Sequence, residues 1–322
     1  MIVIDFENDK EYAQETFPEH CKSSFLMLVS CNHDDIVSIR DHLMLDDDTM
    51  VDNVDIDESV RFTAYEGYDF ASLIHMDVIN DKVIHNEINL YISKQYIVLV
   101  LPESDSPKLR HFEEELISFT KKFMKDKDLS ECKTELINQT FFLFFDILIS
   151  DYFKTLENLE DRMQELSKKI SIRVSEDHFK EIQSLREIAY AIRKVLRAFS
   201  YIGFQILINE NDVLSSSKMY MFRNLETRFR KLYDFSESIY GLSSELIRTY
   251  DSKTSQSTSD IINKLTFVTI VFAPLSLITG IYGMNFAFMP ELNMKFAYPI
   301  TLVAMLIIGV GFYIFIKKKK WL

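Results

Sequence analysis

The chain has 322 residues, with 36 Lys and Arg against 49 Asp and Glu and a formal net charge of −13. This acidity argues against a nucleic-acid partner, whose footprint would be basic. The three scattered cysteines, Cys21, Cys31 and Cys132, show no metal or redox spacing and point to a reducing compartment without a disulfide framework. The stretch from Met1 to Lys10 has neither the basic-then-apolar pattern of a signal peptide nor the Arg-rich character of a transit peptide, so about the first 250 residues are expected in the cytosol.

Residues 1–107 read as a mixed α/β domain. Residues 2–4, 24–29, 60–64, 71–78 and 88–101 are strand-like runs rich in β-branched or aromatic side chains. Residues 34–45 have helical periodicity, with Asp34 as candidate N-cap. Asp46, Asp47, Asp48, Asp52, Asp55, Asp57 and Glu58 make an acidic loop, and Pro102 and Pro107 punctuate the end of the last strand.

The character changes over residues 108–260, which read as a helical bundle and stalk. Between Lys108 and Ala273 there is no proline, and Gly203 and Gly241 are the only glycines. Proline costs about 3 kcal/mol and glycine about 1 kcal/mol inside a helix, so their scarcity implies long helices. One is expected over about 141–172 and another over about 176–207, the latter capped by Ser175 with Glu176 and Asp177 in its first turn. Asn209-Glu210-Asn211-Asp212 breaks the chain before a last helix that starts near Ser215 and meets no breaker until Pro274. Its first half carries a heptad seam of Phe222, Leu225, Phe229, Leu232, Ser236, Ile239, Ser243 and Leu246. Continued to Tyr282 it would be roughly 100 Å long, and a stalk of that length has to pack against something, so oligomerisation is expected.

Neither Leu265 to Pro290 nor Phe296 to Ile316 contains a charged residue. Each run can cross a bilayer core of about 30 Å. The expected spans are 261–283 and 298–316, joined by an outer loop over 284–297 and followed by a basic tail over 317–322. Lys317, Lys318, Lys319 and Lys320 put the C-terminus in the cytoplasm, and two spans return the N-terminus to the same side. Tyr282 and Trp321 stand where interfacial aromatics would.

One face of the first span is small or hydroxylated apart from Ile262: Ser255, Ser259, Ile262, Thr266, Thr269, Ala273, Ser276, Gly280 and Gly283. It reads either as a small-residue packing face or as a water-facing pore line in a ring of parallel copies. Neither span holds a carboxylate, which argues against a proton relay. No Walker or Rossmann motif and no nucleophile with a nearby base is present, so neither an enzyme nor a cofactor is expected. The seven histidines (His20, His33, His42, His75, His85, His111 and His178) have no metal-ligand spacing and read as surface or loop residues.

Tyr282-Gly283-Met284-Asn285-Phe286, then Met289-Pro290-Glu291-Leu292, Tyr298-Pro299, and the terminal lysines with Trp321-Leu322 resemble the CorA-type magnesium transporter family over roughly the last sixty residues. The resemblance implies an α+β membrane protein: an N-terminal cytosolic α/β domain, a long helical stalk and two C-terminal transmembrane helices, assembled as a homopentamer in the cell membrane. It implies a channel-type transporter of hydrated divalent cations, magnesium first, then cobalt or nickel. Gly283, Met284 and Asn285 would form the selectivity filter, with Asn285 holding the ion through its bound water. Ser255, Ser259, Ile262, Leu265, Thr266, Thr269, Ala273, Ser276 and Gly280 would line the pore, and Glu291 would sit at the outer mouth. Magnesium keeps several waters, so such a filter needs no carboxylate. The membrane potential supplies about 4.6 kcal/mol per 100 mV for a divalent ion.

Magnesium bound between cytosolic domains would also hold the pore shut. Two departures bear on this. Ala273 stands where the family often has Met, and Arg223-Asn224 replaces an Arg-Asp pair, removing a carboxylate from the intersubunit magnesium site. A zinc transporter sharing the Gly-x-Asn signature and a non-conducting, membrane-anchored coiled-coil scaffold are the alternatives.

Overall fold

The structure, a computed structural model, describes residues 2–5, 10–13, 27–31, 33–49, 60–102, 106–126, 129–284, 289–290 and 294–318. The chain divides into two compact units, Met1–Lys169 with Ser175–Ile247, and Ile170–Val174 with Arg248–Leu322.

The first unit opens with β1 (Ile2–Asp5), β2 (Lys10–Ala13), β3 (Met27–Cys31), α1 (His33–Leu43), β4 (Arg61–Tyr65), β5 (Tyr68–Ile79), β6 (Lys82–Ile92) and β7 (Tyr96–Val100). The strands form one seven-stranded sheet in the order β2-β1-β3-β7-β6-β5-β4. Among the described strands β3 and β7 pair in parallel and the other neighbours are antiparallel. Asn80 and Asp81, both with φ above +50°, make the two-residue turn between β5 and β6, where Asn and Asp tolerate the left-handed region. At the β4–β5 turn Gly67 has φ +86°, which a side chain would oppose.

The sheet corrects one expectation. Residues 88–101 are not a single strand. Ser93 breaks them: its Oγ accepts from the N–H groups of Gln95 and Tyr96, each at 3.0 Å, and its N–H donates to the Tyr96 carbonyl at 2.9 Å. The hydroxyl closes a local turn, and β6 and β7 become an antiparallel pair. β2, too polar to carry a strand signature, was not expected.

Both faces of β5 are covered, and residues 68–77 are buried without interruption. On one face Ile36 and Ile39 of α1 pack on Tyr68, Phe70, Tyr91, Tyr96, Val98 and Val100. On the other lie α3 (Leu129–Ile172) and α4 (Glu176–Ile208), with α2 (Pro107–Asp126) and the first part of α5 (Met219–Tyr282) packed on these helices. Phe62 meets Phe141 of α3 edge-on at 6.4 Å, and the Tyr152 hydroxyl donates to the Ile74 carbonyl at 2.7 Å.

This double cover overturns the reading of His75 as a surface residue. It is 1% exposed, with Nε2 3.4 Å from Asp151 Oδ2. Alternation along a strand sends it into the helical layer, and no water-exposed side remains for it.

The helices meet through phenylalanine edges. Phe145 lies 5.0 Å from Phe141 and Phe144 and 5.5 Å from Phe229 of α5; Phe199 of α4 lies 5.9 Å from Phe229. The buried residues of α5 are the eight of the heptad seam, Phe222 through Leu246. Its two serines, Ser236 and Ser243, donate to the Tyr233 and Tyr240 carbonyls at 2.6 Å, so their hydroxyls are satisfied within the helix. Gly203 permits the close crossing of α4 and α5: a Cβ there would lie 3.0 Å from Glu226 Cα. Ser175 caps α4 as expected, its side chain accepting from the His178 N–H at 3.4 Å. α3 begins at Leu129 rather than near 141, because the apolar run that marks it in sequence starts a few turns inside the helix. α5 is preceded by a 3-10 turn over Ser216–Lys218, which delays its start to Met219.

Asn211, in the turn between α4 and α5, ties that turn to the sheet. Its Nδ2 lies 2.7 Å from the Tyr65 carbonyl, 2.8 Å from the Tyr68 carbonyl and 2.8 Å from Asp69 Oδ1. Asp69 is 1% exposed. Burial pushes its carboxyl from 3.8 up to about 6, opposed by the Asn211 hydrogen bond and assisted by the Glu210 charge. The folded chain therefore holds this proton more tightly than the unfolded chain. Its contribution to stability is full below about pH 4 and is lost as pH rises through about 6. Asp69→Asn keeps an acceptor for Asn211 and removes the charge. It is expected to raise stability near neutral pH by about 1–3 kcal/mol and to flatten the dependence between about pH 4 and 6. Denaturant unfolding at the two ends of that window tests this; a loss of stability at neutral pH would refute it.

Candidate functional site

The second unit holds the C-terminal part of α5 and α6 (Ala297–Lys318). Three described helices are long and apolar enough to cross a membrane: Glu135–Ile172, Ser216–Tyr282 and Ala297–Phe315. The apolar window of the first is 61% buried within the protein, whereas those of the other two are 0% buried. The first is accounted for by the phenylalanine core, which leaves the two expected spans as apolar surfaces in need of a non-aqueous environment.

Within α5 the environment alternates with helical period. Phe267, Ile270, Val271, Pro274, Leu275 and Ile278 are half-buried. Their spacing of three and four puts them on one face, turned toward α6: Phe267 meets Tyr313 edge-on at 6.3 Å, and Leu275 reaches Gly309. Ser255, Ser259, Ile262, Leu265, Thr266, Thr269, Ala273, Ser276 and Gly280 are all exposed. Thr269, Ala273, Ser276 and Gly280 stand two residues, or roughly 200°, from the α6-facing row and so lie on the side away from the second span. The bulky neighbours Phe267, Ile270, Val271, Leu275 and Ile278 thus pack on α6, while Val268, Phe272 and Leu277 remain outside. Thr269 Oγ1 donates to the Leu265 carbonyl at 3.0 Å, and Thr279 Oγ1 to the Ser276 carbonyl at 3.0 Å. A hydroxyl used in this way keeps its oxygen as an acceptor.

Pro274 does not end the helix. It lies inside α5, where it leaves the Ile270 carbonyl without its usual helical donor. The helix closes instead at Gly283, whose N–H donates to the Thr279 carbonyl at 2.9 Å, while the Met284 N–H tightens the end by donating to the Ile281 carbonyl at 3.2 Å. A Cβ at Gly283 would stand 3.2 Å from the Thr279 carbonyl oxygen, closer than most real contacts. Glycine is fitted to this end by proximity to the preceding turn, its φ being unexceptional. Met284 is 50% exposed. Asn285 and Glu291 lie outside the described residues, as do Asp52, Asp55, Asp57 and Glu58 of the acidic loop.

Sequence reasoning passed over one feature. Tyr282 and Gly283 line a cleft of about 440 Å³ with Met294, Tyr298 and Thr301, between the end of α5 and the start of α6. The Tyr298 to Thr301 spacing of three, facing the motif, was the signal available. Among the described residues no group of three or more His, Cys, Asp or Glu could hold a metal ion, so these residues offer an ion no ready-made cage of charged ligands.

The sequence profile of the family described as CorA-like Mg2+ transporter protein matches residues 22–318. The chain is 30% identical over 177 residues to the cobalt/magnesium transport protein CorA of Thermotoga maritima, covering 55% of this chain and 50% of that one. It is 26% identical over 186 residues to the magnesium transport protein CorA of Escherichia coli K12, covering 55% and 57%. It thus aligns with about half the length of these curated relatives.

Among solved structures, the complete CorA magnesium transporter of Methanocaldococcus jannaschii superposes over 100% of this chain and 98% of that one, with a TM-score of 0.81 at 18% identity. The full-length CmaX protein gives 0.70 at 12% identity, over 99% and 97%. The ZntB cytoplasmic domain of Vibrio parahaemolyticus gives 0.58 at 9% identity, over 80% of this chain and 98% of that domain. At these identities the likeness establishes the fold: an N-terminal sheet domain, long helices and a C-terminal helical pair, the α+β class expected from sequence. A profile match from residue 22 to residue 318, on a full-length CorA fold, makes this chain a member of the CorA-like Mg2+ transporter family.

Proposed function

We propose that the chain is the subunit of a homo-oligomer, five copies in a ring, that conducts hydrated divalent cations across the cell membrane down the electrical potential, magnesium first and cobalt or nickel after it. The observation that carries this reading is the small and hydroxylated face of α5, exposed from Ser255 to Gly280 on the side away from α6 and leading to Gly283. A face that packs only against its own second span would not be left open in this way. In a ring of parallel copies it would offer hydroxyl and carbonyl oxygens to the water around an ion rather than to the ion itself. That suits magnesium, which gives up its water reluctantly. Asn285 would complete the filter through ion-bound water, and Glu291 would raise the cation concentration at the outer mouth. Both termini would be cytoplasmic.

Closure by cytosolic magnesium would draw on the cytosolic part of α5. Arg223 and Asn224 are exposed on α5, off the heptad seam, where a neighbouring copy could reach them, but an amide binds a hard cation less strongly than a carboxylate.

The test is influx into liposomes holding the purified full chain, with a magnesium-free lumen and an inside-negative potential imposed. Magnesium and cobalt influx that rises with the potential is expected. Influx of zinc alone would favour the zinc alternative. No influx of any of the three into liposomes bearing intact oligomer would leave the scaffold.

A further inference from the structure

The first unit contains a cleft of about 330 Å³ that is no part of the proposed conducting path. Lys108 of α2 and Lys154, Thr155, Asn158 and Arg162 of α3 line it, over an apolar floor. Three of its lining side chains are cations and none is acidic, in a chain whose acidic residues outnumber its basic ones by 49 to 36.

The acids that belong to these cations are set behind them, outside the lining. Asp77 Oδ1 lies 3.7 Å from Lys108 Nζ, Asp151 Oδ1 3.9 Å from Lys154 Nζ, and Asp81 Oδ1 2.7 Å from Arg162 Nη2. Two of these anchors are held by further partners. Asp77 is 3% exposed and accepts from Ser106 Oγ and, at 3.3 Å, from Asn86 Nδ2. Asp151 is held by buried His75. Burial pushes the Asp151 carboxyl up, yet the His75 hydrogen bond and the charges of His75, Lys108 and Lys154 outweigh it and hold the group below the usual range. Asp81 stands in the β5–β6 turn with its side chain 50% exposed. Lys108 is further steadied 3.5 Å from Thr155 Oγ1, whose proton goes to the Asp151 carbonyl at 2.8 Å.

Lys108, Lys154 and Arg162 thus border one concavity, each paired with a carboxylate outside the lining, and Lys108 and Lys154 remain 45% and 76% exposed. A guanidinium carries five N–H donors, and the one given to Asp81 leaves donors for a second oxyanion. Arg162, 31% exposed and held 2.7 Å from Asp81, is the most ordered of the three.

We propose that this cleft binds a soluble di- or triphosphate. Three converging cations match an anion of several charges better than a single carboxylate. The volume lies at the small end of ligand sites, enough for a polyphosphate moiety. Such anions are also chelators of magnesium, so occupancy would report on the cation's free ligands, a link that rests on the transport reading; the binding itself does not.

Calorimetric titration of the detergent-solubilised full chain in magnesium-free buffer tests it, with pyrophosphate, triphosphate and ATP as probes. Saturable binding at sub-millimolar concentration is expected, weakening as salt is raised. Lys154→Gln and Arg162→Gln are each expected to weaken it by about tenfold. Lys180→Gln, which removes an exposed cation on α4 that does not line the cleft, is expected to leave it unchanged. Lys154 is 76% exposed, so its loss should not perturb folding, and an unchanged unfolding transition verifies that. ATP binding more tightly than triphosphate would identify a nucleotide site, and equal affinity a polyphosphate site. Absence of saturable heat with all three probes up to millimolar concentration, or affinities indifferent to both cleft substitutions, would overturn the proposal.

Discussion

Asn285→Ala is expected to cut potential-driven magnesium influx by at least about fiftyfold while oligomer yield stays at the wild-type level. A methyl group cannot accept a hydrogen bond from ion-bound water, and in the proposed ring of five copies every subunit would lose its acceptor at once. At about 0.5–1.5 kcal/mol for each hydrogen bond lost, five losses amount to roughly 2.5–7.5 kcal/mol. Asn285→Gln retains the amide but moves it outward by a methylene, so it should keep part of the flux and change the order of preference among ions. Parallel measurement of influx and of oligomer size by gel filtration separates a damaged filter from a damaged assembly. Wild-type influx through an Asn285→Ala oligomer would remove Asn285 from the conducting path.

The largest effect on stability is expected from Phe145→Ala. Phe145 is 0% exposed, and its ring meets Phe141, Phe144 and Phe229 at 5.0–5.5 Å, so it joins α3 to α5 within the first unit. Truncating a buried phenylalanine costs about 3–5 kcal/mol, and the lost edge-to-face pairs add to the upper end. Phe145→Leu, which fills most of the volume, should cost much less. Phe204 on the neighbouring α4 is 64% exposed, and its truncation should change stability by under about 0.5 kcal/mol. Denaturant unfolding of the three variants checks the order. A loss below about 1 kcal/mol for Phe145→Ala would mean that the helices are not joined here.

The helical half of the molecule was legible because its signals are periodic. The seam from Phe222 to Leu246 could be read residue by residue, since a helix buried along one side must repeat its apolar positions every three or four residues. Ser236 and Ser243 fell on that row despite being polar, because their hydroxyls bond back to their own helix. The stripe from Ser255 to Gly280 was legible for the same reason, and the structure adds which side of α5 faces α6.

The sheet half was harder. β6 and β7 merged into one run because a strand buried on both faces loses its alternation, and the Ser93 turn carries neither glycine nor proline. His75 was misplaced because nothing in its neighbours shows that β5 is covered twice. The basic cleft draws Lys108, Lys154 and Arg162 from two helices. Such a convergence over some fifty positions of chain has no local pattern.

The phenylalanine edges that hold α3, α4 and α5 together have an optical corollary. The chain contains 26 phenylalanines and 15 tyrosines but one tryptophan, Trp321, beside the terminal lysines. The core is thus silent in the wavelength range where indole emits. Excited selectively, Trp321 reports on the surroundings of the basic tail alone, a built-in probe of how that tail meets detergent or lipid. Unfolding of the first unit has to be followed elsewhere in the spectrum, through tyrosines such as Tyr152, whose hydroxyl is fixed against the sheet.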